Sequence, residues 1–276
     1  MRKPFLYSGG NMHVYLHLFG LTIPSYGLLI ASGVVIGNII AFFVLKHEKL
    51  DFNDWMILEA YCILGGFLGA KLLYLLVSYK SIDWSRITDF QYFNALMLSG
   101  FVFYGGLIFG LIFVFLAGKI HKIPAGIYVR KFIFLIPFMH SFGRVGCFMA
   151  GCCYGIPYDG IGAVVFPEGS YAIPGIKLFP VQLVESACLM IIAFAILYLQ
   201  IKKQWYYTVE TYLILYAILR FCLENLRYDA ERGYYAGLST SQWISIGFLV
   251  AAMVSVVWQK KRKNQRFKST ILEEKK

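Results

Sequence analysis

The chain has 276 residues, 59% of them hydrophobic and only 15% charged, with a formal net charge of +11. Soluble globular domains average roughly 45–50% apolar and about 25% charged residues, so this composition, with a mean hydropathy of +0.63, excludes an ordinary soluble domain and indicates a polytopic membrane protein. The 26 Lys and Arg against 15 Asp and Glu do not describe a nucleic-acid-binding patch, because they flank apolar runs, which is the pattern of membrane topology.

Residues 1–11 carry Arg2 and Lys3 but neither an apolar core nor a small-residue cleavage site. No cleaved signal peptide is expected, and the first apolar run serves as its own insertion signal. A helix needs about 20 mostly apolar residues to cross a bilayer. Seven stretches approach this, at about 20–45, 55–77, 96–117, 132–149, 181–201, 206–226 and 241–258. The expected fold is all-α, with seven transmembrane helices and the two termini on opposite sides.

The connections decide which side is which. One set holds Lys46, Lys49, Lys119, Lys122, Arg130, Lys131, Lys202, Lys203 and the basic tail from Lys260 to Lys276, sixteen positive residues in all. The other holds seven: Arg2, Lys3, Lys80, Arg86, Lys177, Arg227 and Arg232. The positive-inside rule makes the first set cytoplasmic, so the N-terminus is expected outside and the C-terminus in the cytoplasm. The chain then reads as one membrane domain over 1–258 and a basic cytoplasmic tail over 259–276, the tail a disordered arm near anionic headgroups. The longest external connection, at about 150–180, contains Pro157, Gly160, Gly162, Pro167, Gly169, Pro174 and Gly175. That content makes turns or short strands and not a helix.

An ionisable residue within a membrane span costs a few kcal/mol and marks a functional site by default. Arg144 lies toward the outer end of the fourth span, among Gly143, Gly146, Gly151 and Gly155, which let a backbone or headgroup approach closely. In the sixth span Tyr216, Arg220, Glu224 and Arg227 recur at i, i+4, i+8 and i+11 and share one helical face. Two readings compete: Arg220 pairs with Glu224 while Arg144 snorkels to the interface, or the two guanidinium groups hold one anion. Both arginines approach the same leaflet, which favours the second, with an outer-leaflet phosphate as the anion.

Lys71 in the second span and Tyr104, followed by Gly105, in the third are further candidates, set against snorkelling and helix packing. Tyr26, in Pro24-Ser25-Tyr26-Gly27, fits an aromatic belt as well as a site. The spacing of Cys147, Cys152 and Cys153 matches neither a Cys-x2-Cys redox pair nor paired zinc knuckles. Small apolar packing is therefore preferred there over redox or metal use, and no metal or organic cofactor is expected. Cys62, Cys188 and Cys222 lie in apolar helical runs and read as core.

With these residues in place, the sequence resembles the bacterial prolipoprotein diacylglyceryl transferases. The likeness runs from Ser25-Tyr26-Gly27-Leu28 to Leu238-Ser239-Thr240-Ser241-Gln242, and is strongest at Gly143-Arg144-Val145-Gly146 leading to Gly151 and Gly155. Tyr104-Gly105-Gly106-Leu107, Pro180-x-Gln182-Leu183-x-Glu185 and the Tyr216, Arg220, Glu224, Arg227 face support it. The resemblance implies a multi-pass protein of the bacterial cytoplasmic membrane with its active site open to the outer leaflet. It also implies a reaction, in which the diacylglyceryl group of phosphatidylglycerol moves to the lipobox cysteine of a prolipoprotein, leaving a thioether and glycerol 1-phosphate. Arg144 and Arg220 match the family's essential arginines, and Glu224, Tyr26 and Gly155 match other functional positions. Tyr104 joins the expected catalytic set, while Lys71, Gly105, Gly146, Gln182, Tyr216 and Arg227 join the expected substrate-binding set. The implied partners are phosphatidylglycerol, prolipoprotein signal peptides and the bilayer, with no nucleic acid, and the chain is expected to act as a monomer.

The departures are specific. Tyr104 stands where the family often has the histidine proposed as the base. Gly146-Cys147-Phe148-Met149-Ala150-Gly151-Cys152 stands where the signature commonly reads Gly-Asn-Phe-x-Asn-Gly-Glu, so two amides and a carboxylate are lost. Two alternatives remain: a catalytically altered relative that binds phospholipid or prolipoprotein or uses another acceptor, and a membrane thiol oxidoreductase using Cys147, Cys152 and Cys153.

Overall fold

Helix dominates because the apolar runs have no other way to satisfy their backbone in lipid. The computed structural model describes residues 7–8, 15–18, 21–228 and 233–274. The sequence expectations for Arg2, Lys3, Arg232, Lys275 and Lys276 fall outside these residues. Nine α-helices are found among the described residues: α1 (Ser25–Glu48), α2 (Phe52–Val77), α3 (Phe90–Leu98), α4 (Phe103–His121), α5 (Ala125–Phe132), α6 (Leu135–Ala150), α7 (Val181–Lys203), α8 (Thr208–Glu224) and α9 (Thr240–Glu274).

Five of them, α1, α2, α4, α7 and the first part of α9 (Thr240–Lys261), are long and apolar enough to cross a membrane, and the bent pair α5 and α6 brings the number to six. The molecule is thus a multi-pass, mainly helical membrane protein. The sixth sequence stretch becomes α8, which has 17 residues, about 26 Å at 1.5 Å per residue against a hydrocarbon core of about 30 Å. The third stretch is interrupted: α3 stops at Leu98 and α4 begins at Phe103. Gly100 between them sits at φ +70° with the Tyr74 ring packed where a side chain would stand. The basic tail departs from the expected disordered arm, since α9 continues through it to Glu274.

The chain divides into two compact units, one of residues 1–41 and 130–276 and the other of residues 42–129. In the second unit α2 and α4 pack along a seam of small residues. A Cβ on Gly69 would overlap Phe109 and the carbonyl of Gly105, and one on Gly65 would lie 2.6 Å from Phe113. Small residues that allow such approach are how apolar helices associate in lipid. Asp51 caps α2 by accepting from the Asp54 amide at 3.0 Å, and Asp89 caps α3 through the amides of Gln91 and Tyr92.

In the first unit α6 packs on α7, α7 on α8, and α8 on α9. Ser186 of α7 donates to the Ser141 carbonyl of α6 at 2.9 Å, inside the core. The loop after α6 forms turns and short strands, as its Gly and Pro content dictates. Its strands β1 (Val164–Val165) and β2 (Lys177–Leu178) pair antiparallel, over a small core of Phe148, Val164, Phe166, Ala172 and Leu178. The loop is tied back to the end of α8: Ile156 donates to the Leu226 carbonyl at 3.0 Å, and Tyr228 to the Tyr154 carbonyl at 3.2 Å.

Candidate active site

Two arginine–glutamate pairs form the centre of the first unit. On α8, Tyr216, Arg220 and Glu224 are each less than 10% exposed and lie one turn apart, as the spacing requires. Arg220 Nη2 is 2.9 Å from Glu224 Oε2 and donates to Ser241 Oγ of α9 at 2.9 Å. On α6, Arg144 Nη2 is 2.9 Å from Oε1 of Glu185 on α7, whose side chain is 1% exposed. Arg144 is thus an ion-paired residue whose side chain is 11% exposed. Each guanidinium keeps one buried nitrogen with no hydrogen-bond partner, Nε of Arg144 and Nη1 of Arg220.

His140 lies one turn before Arg144 on α6, and both Arg144 and Arg220 act on it electrostatically. Its ring centre is 5.9 Å from that of Tyr216, which in turn stacks on Tyr212 at 5.7 Å. The two arginines, carried by two different helices, are thus both near enough to His140 for their charges to reach it. Sequence reasoning gave His140 no role and used Glu185 only as part of the family resemblance, without a partner. The i, i+4 spacing of His140 and Arg144 was a usable signal, whereas Glu185 could be matched to Arg144 only once α6 and α7 were paired in space.

The remaining expected residues of this unit cluster nearby. Tyr26, 43% exposed, stands at the start of α1 against Gly146, where a Cβ would lie 2.8 Å from the Tyr26 ring. A Cβ on Gly155 would lie 2.9 Å from the Leu226 carbonyl, and Gly155 bridges to Arg227 across the strap that closes the loop on α8. Gln182 is fully buried and donates to the Cys152 carbonyl at 2.8 Å, so it fixes the loop. Tyr104, Gly105 and Lys71 belong to the second unit. There Lys71 Nζ donates to the carbonyl of Ser99 at 2.6 Å and to that of Leu96, holding the C-terminal end of α3, where a cation is favoured. Gly105 lies in the α2–α4 seam, and Tyr104 makes an edge contact with Phe103 at 5.9 Å.

All six cysteines are free thiols, and the sulfurs of Cys147, Cys152 and Cys153 gather at the end of α6. Hydrogen bonds from Cys147 and Cys152 hold the Cys153 thiol below its ordinary range against the opposing effect of burial, with Arg227 and Arg144 contributing. Hydrogen bonds with Cys147 and Cys153, with burial added, push Cys152 up.

Two ion-paired arginines, each with a donor nitrogen that no protein atom takes up, are thus set in the apolar helices of a multi-pass membrane protein. A sequence model of the prolipoprotein diacylglyceryl transferase family matches residues 13–258. The chain belongs to this family and is a transferase. It is 35% identical over 236 residues to the phosphatidylglycerol–prolipoprotein diacylglyceryl transferase of Clostridium tetani, covering 84% of this chain and 92% of that protein. It is 31% identical over 240 residues to the protein named phosphatidylglycerol–prolipoprotein diacylglyceryl transferase 2 of Clostridium perfringens, covering 86% and 91%. The corresponding transferase of Clostridioides difficile is 30% identical over 251 residues, with coverage of 90% and 95%.

Proposed function

We propose that this chain transfers the diacylglyceryl group of phosphatidylglycerol to the lipobox cysteine of prolipoproteins, in the bacterial cytoplasmic membrane and on its outer-leaflet side. The observation that carries the proposal is the pair of buried guanidinium groups, Arg144 on Glu185 and Arg220 on Glu224, each with a nitrogen left for a ligand. A buried donor without a partner costs about 1–3 kcal/mol, and a phosphate oxygen placed between the two forks removes that cost twice. The two carboxylates balance the two guanidinium charges, so the headgroup is held by directed donors.

In the proposed step the sulfur of the acceptor cysteine attacks the glycerol carbon of the diacylglyceryl group that carries the phosphate oxygen. The carbon–oxygen bond breaks, the sulfur–carbon bond forms, and glycerol 1-phosphate leaves with the electron pair. Arg144 and Arg220 stabilise charge on that leaving phosphate, where exclusion of water makes fixed donors effective. The thiol proton goes to a nearby base. Tyr104 stands where the resemblance implies a histidine, and His140, one turn from Arg144 and reached by the charges of both arginines, is a candidate imidazole in the first unit. Glu224 then serves first to orient Arg220.

The seven-helix topology, with the N-terminus outside, belongs to the same proposal. It rests on the asymmetry of positive charge between the two sets of connections and on counting α8 with its flanks as a crossing. The test gives the purified full-length protein phosphatidylglycerol and a synthetic lipobox peptide. The expected result is a diacylglyceryl thioether on the peptide and an equal amount of glycerol 1-phosphate; phospholipid consumption without a modified peptide would refute it.

A further inference from the structure

The Cys-x4-Cys-Cys spacing matches no familiar metal motif along the chain, but the fold brings the three sulfurs to within 4.8 Å of one another. A helix end does this. α6 stops at Ala150, and Gly151 at φ +74° turns the chain back. The Cys152 amide then donates to the Cys147 carbonyl at 3.0 Å, so residues five apart become neighbours. Gln182 of α7 fixes the turn by donating to the Cys152 carbonyl at 2.8 Å. Cys153 follows at φ +57°, a left-handed conformation that is disfavoured for a non-glycine residue. Such strain persists only where the surroundings impose it, and it gathers at ligand clamps. Here its effect is to bring the third sulfur round to the other two.

From this geometry we propose that Cys147, Cys152 and Cys153 form a three-thiolate site for a soft, thiophilic d10 cation, Zn(II) or Cu(I). Zinc–sulfur bonds of about 2.3 Å set sulfurs about 3.8 Å apart in a tetrahedral site and about 4.0 Å apart in a trigonal one. Contraction from separations of at most 4.8 Å requires each sulfur to move by less than about 1 Å, within side-chain reach. The site sits at the C-terminal end of α6, the end of a helix that favours a cation. Three thiolates with a divalent ion carry one net negative charge. Thiolate ligands select soft ions over Mg(II) or Ca(II). Three protein ligands leave one position of a tetrahedral zinc site open. The site stands independently of the transferase reading, since its occupancy is read without turnover.

The experiment uses the full-length protein in detergent, reduced and stripped of metal by a chelator that is then removed. Co(II) is titrated as a coloured stand-in for Zn(II), and Cu(I) is titrated separately against a chromogenic Cu(I) chelator. The expected result is one equivalent bound, with thiolate-to-cobalt charge-transfer absorption that Zn(II) abolishes, or one equivalent of Cu(I) withheld from its chelator. Saturating metal should protect Cys147, Cys152 and Cys153 from maleimide while leaving the reactivity of Cys62, Cys188 and Cys222 unchanged. Cys153→Ser and, separately, Cys152→Ser should each weaken binding at least tenfold, and Cys188→Ser should leave it unchanged. Absence of both metal signals, alkylation of all three thiols at saturating metal, or unweakened binding in both serine variants would each overturn the proposal.

Discussion

Arg220→Lys separates the charge of this residue from its shape. Nη2 of Arg220 already serves Glu224 and Ser241 at 2.9 Å each, and the proposed phosphate contact falls to Nη1, which has no protein partner. A lysine retains the charge but offers a single nitrogen, which the same glutamate and serine will hold. The variant therefore loses one charge-assisted hydrogen bond to the headgroup, about 1.5–3 kcal/mol. At 1.36 kcal/mol per tenfold, kcat/KM for peptide modification should fall about 10- to 150-fold. The assay follows lipobox-peptide mass over time at several phosphatidylglycerol concentrations, with a melting curve in detergent to show that the variant is folded. A folded Arg220→Lys protein within about threefold of wild type would mean that charge alone suffices, and the argument from the unused nitrogen would fail.

Other consequences are open to the same methods. Removal of the imidazole in His140→Gln should lower kcat about 10²- to 10⁴-fold if this residue takes the thiol proton, with KM for the lipid little changed; full activity would return the base to another residue. Glu185→Gln leaves Arg144 buried beside an amide, and breaking a buried pair in this way costs about 3–5 kcal/mol, so its melting temperature should fall sharply, and an unchanged one would contradict the ion pair. Gly69→Ala, whose methyl would overlap Phe109 and the Gly105 carbonyl, should destabilise by about 1–3 kcal/mol. Gly66→Ala, where the nearest atom is the Gly106 carbonyl at 3.9 Å, should melt like wild type; equal behaviour of the two would contradict the α2–α4 seam.

What could be read in advance follows from the range of each interaction. Helix periodicity is local, so the buried face of Tyr216, Arg220 and Glu224 was visible in the spacing, and so was the Arg220–Glu224 pair. The partner of Arg144 was not, because Glu185 lies on another helix and its role depends on the packing of α6 against α7. Hydropathy found the apolar runs but not the break at Gly100, which depends on a left-handed glycine beneath the Tyr74 ring. It also missed the bend after α5. Lys71 looked like a snorkelling or ligand-binding cation, whereas α3, placed beside α2, gives it carbonyls to hold. The three cysteines read as packing because their spacing fits no linear motif; a helix cap, and not the spacing, makes them neighbours. The tail read as disordered from its charge, while the structure continues α9 through it.

The most direct test of the two-arginine site compares wild type, Arg144→Ala and Arg220→Ala for the diacylglyceryl adduct on a lipobox peptide, each protein shown to be folded. The account predicts an adduct from the wild type and a loss of several orders of magnitude in both variants, because neither guanidinium alone can hold the leaving phosphate. An adduct formed at near wild-type rate by both alanine variants would contradict it.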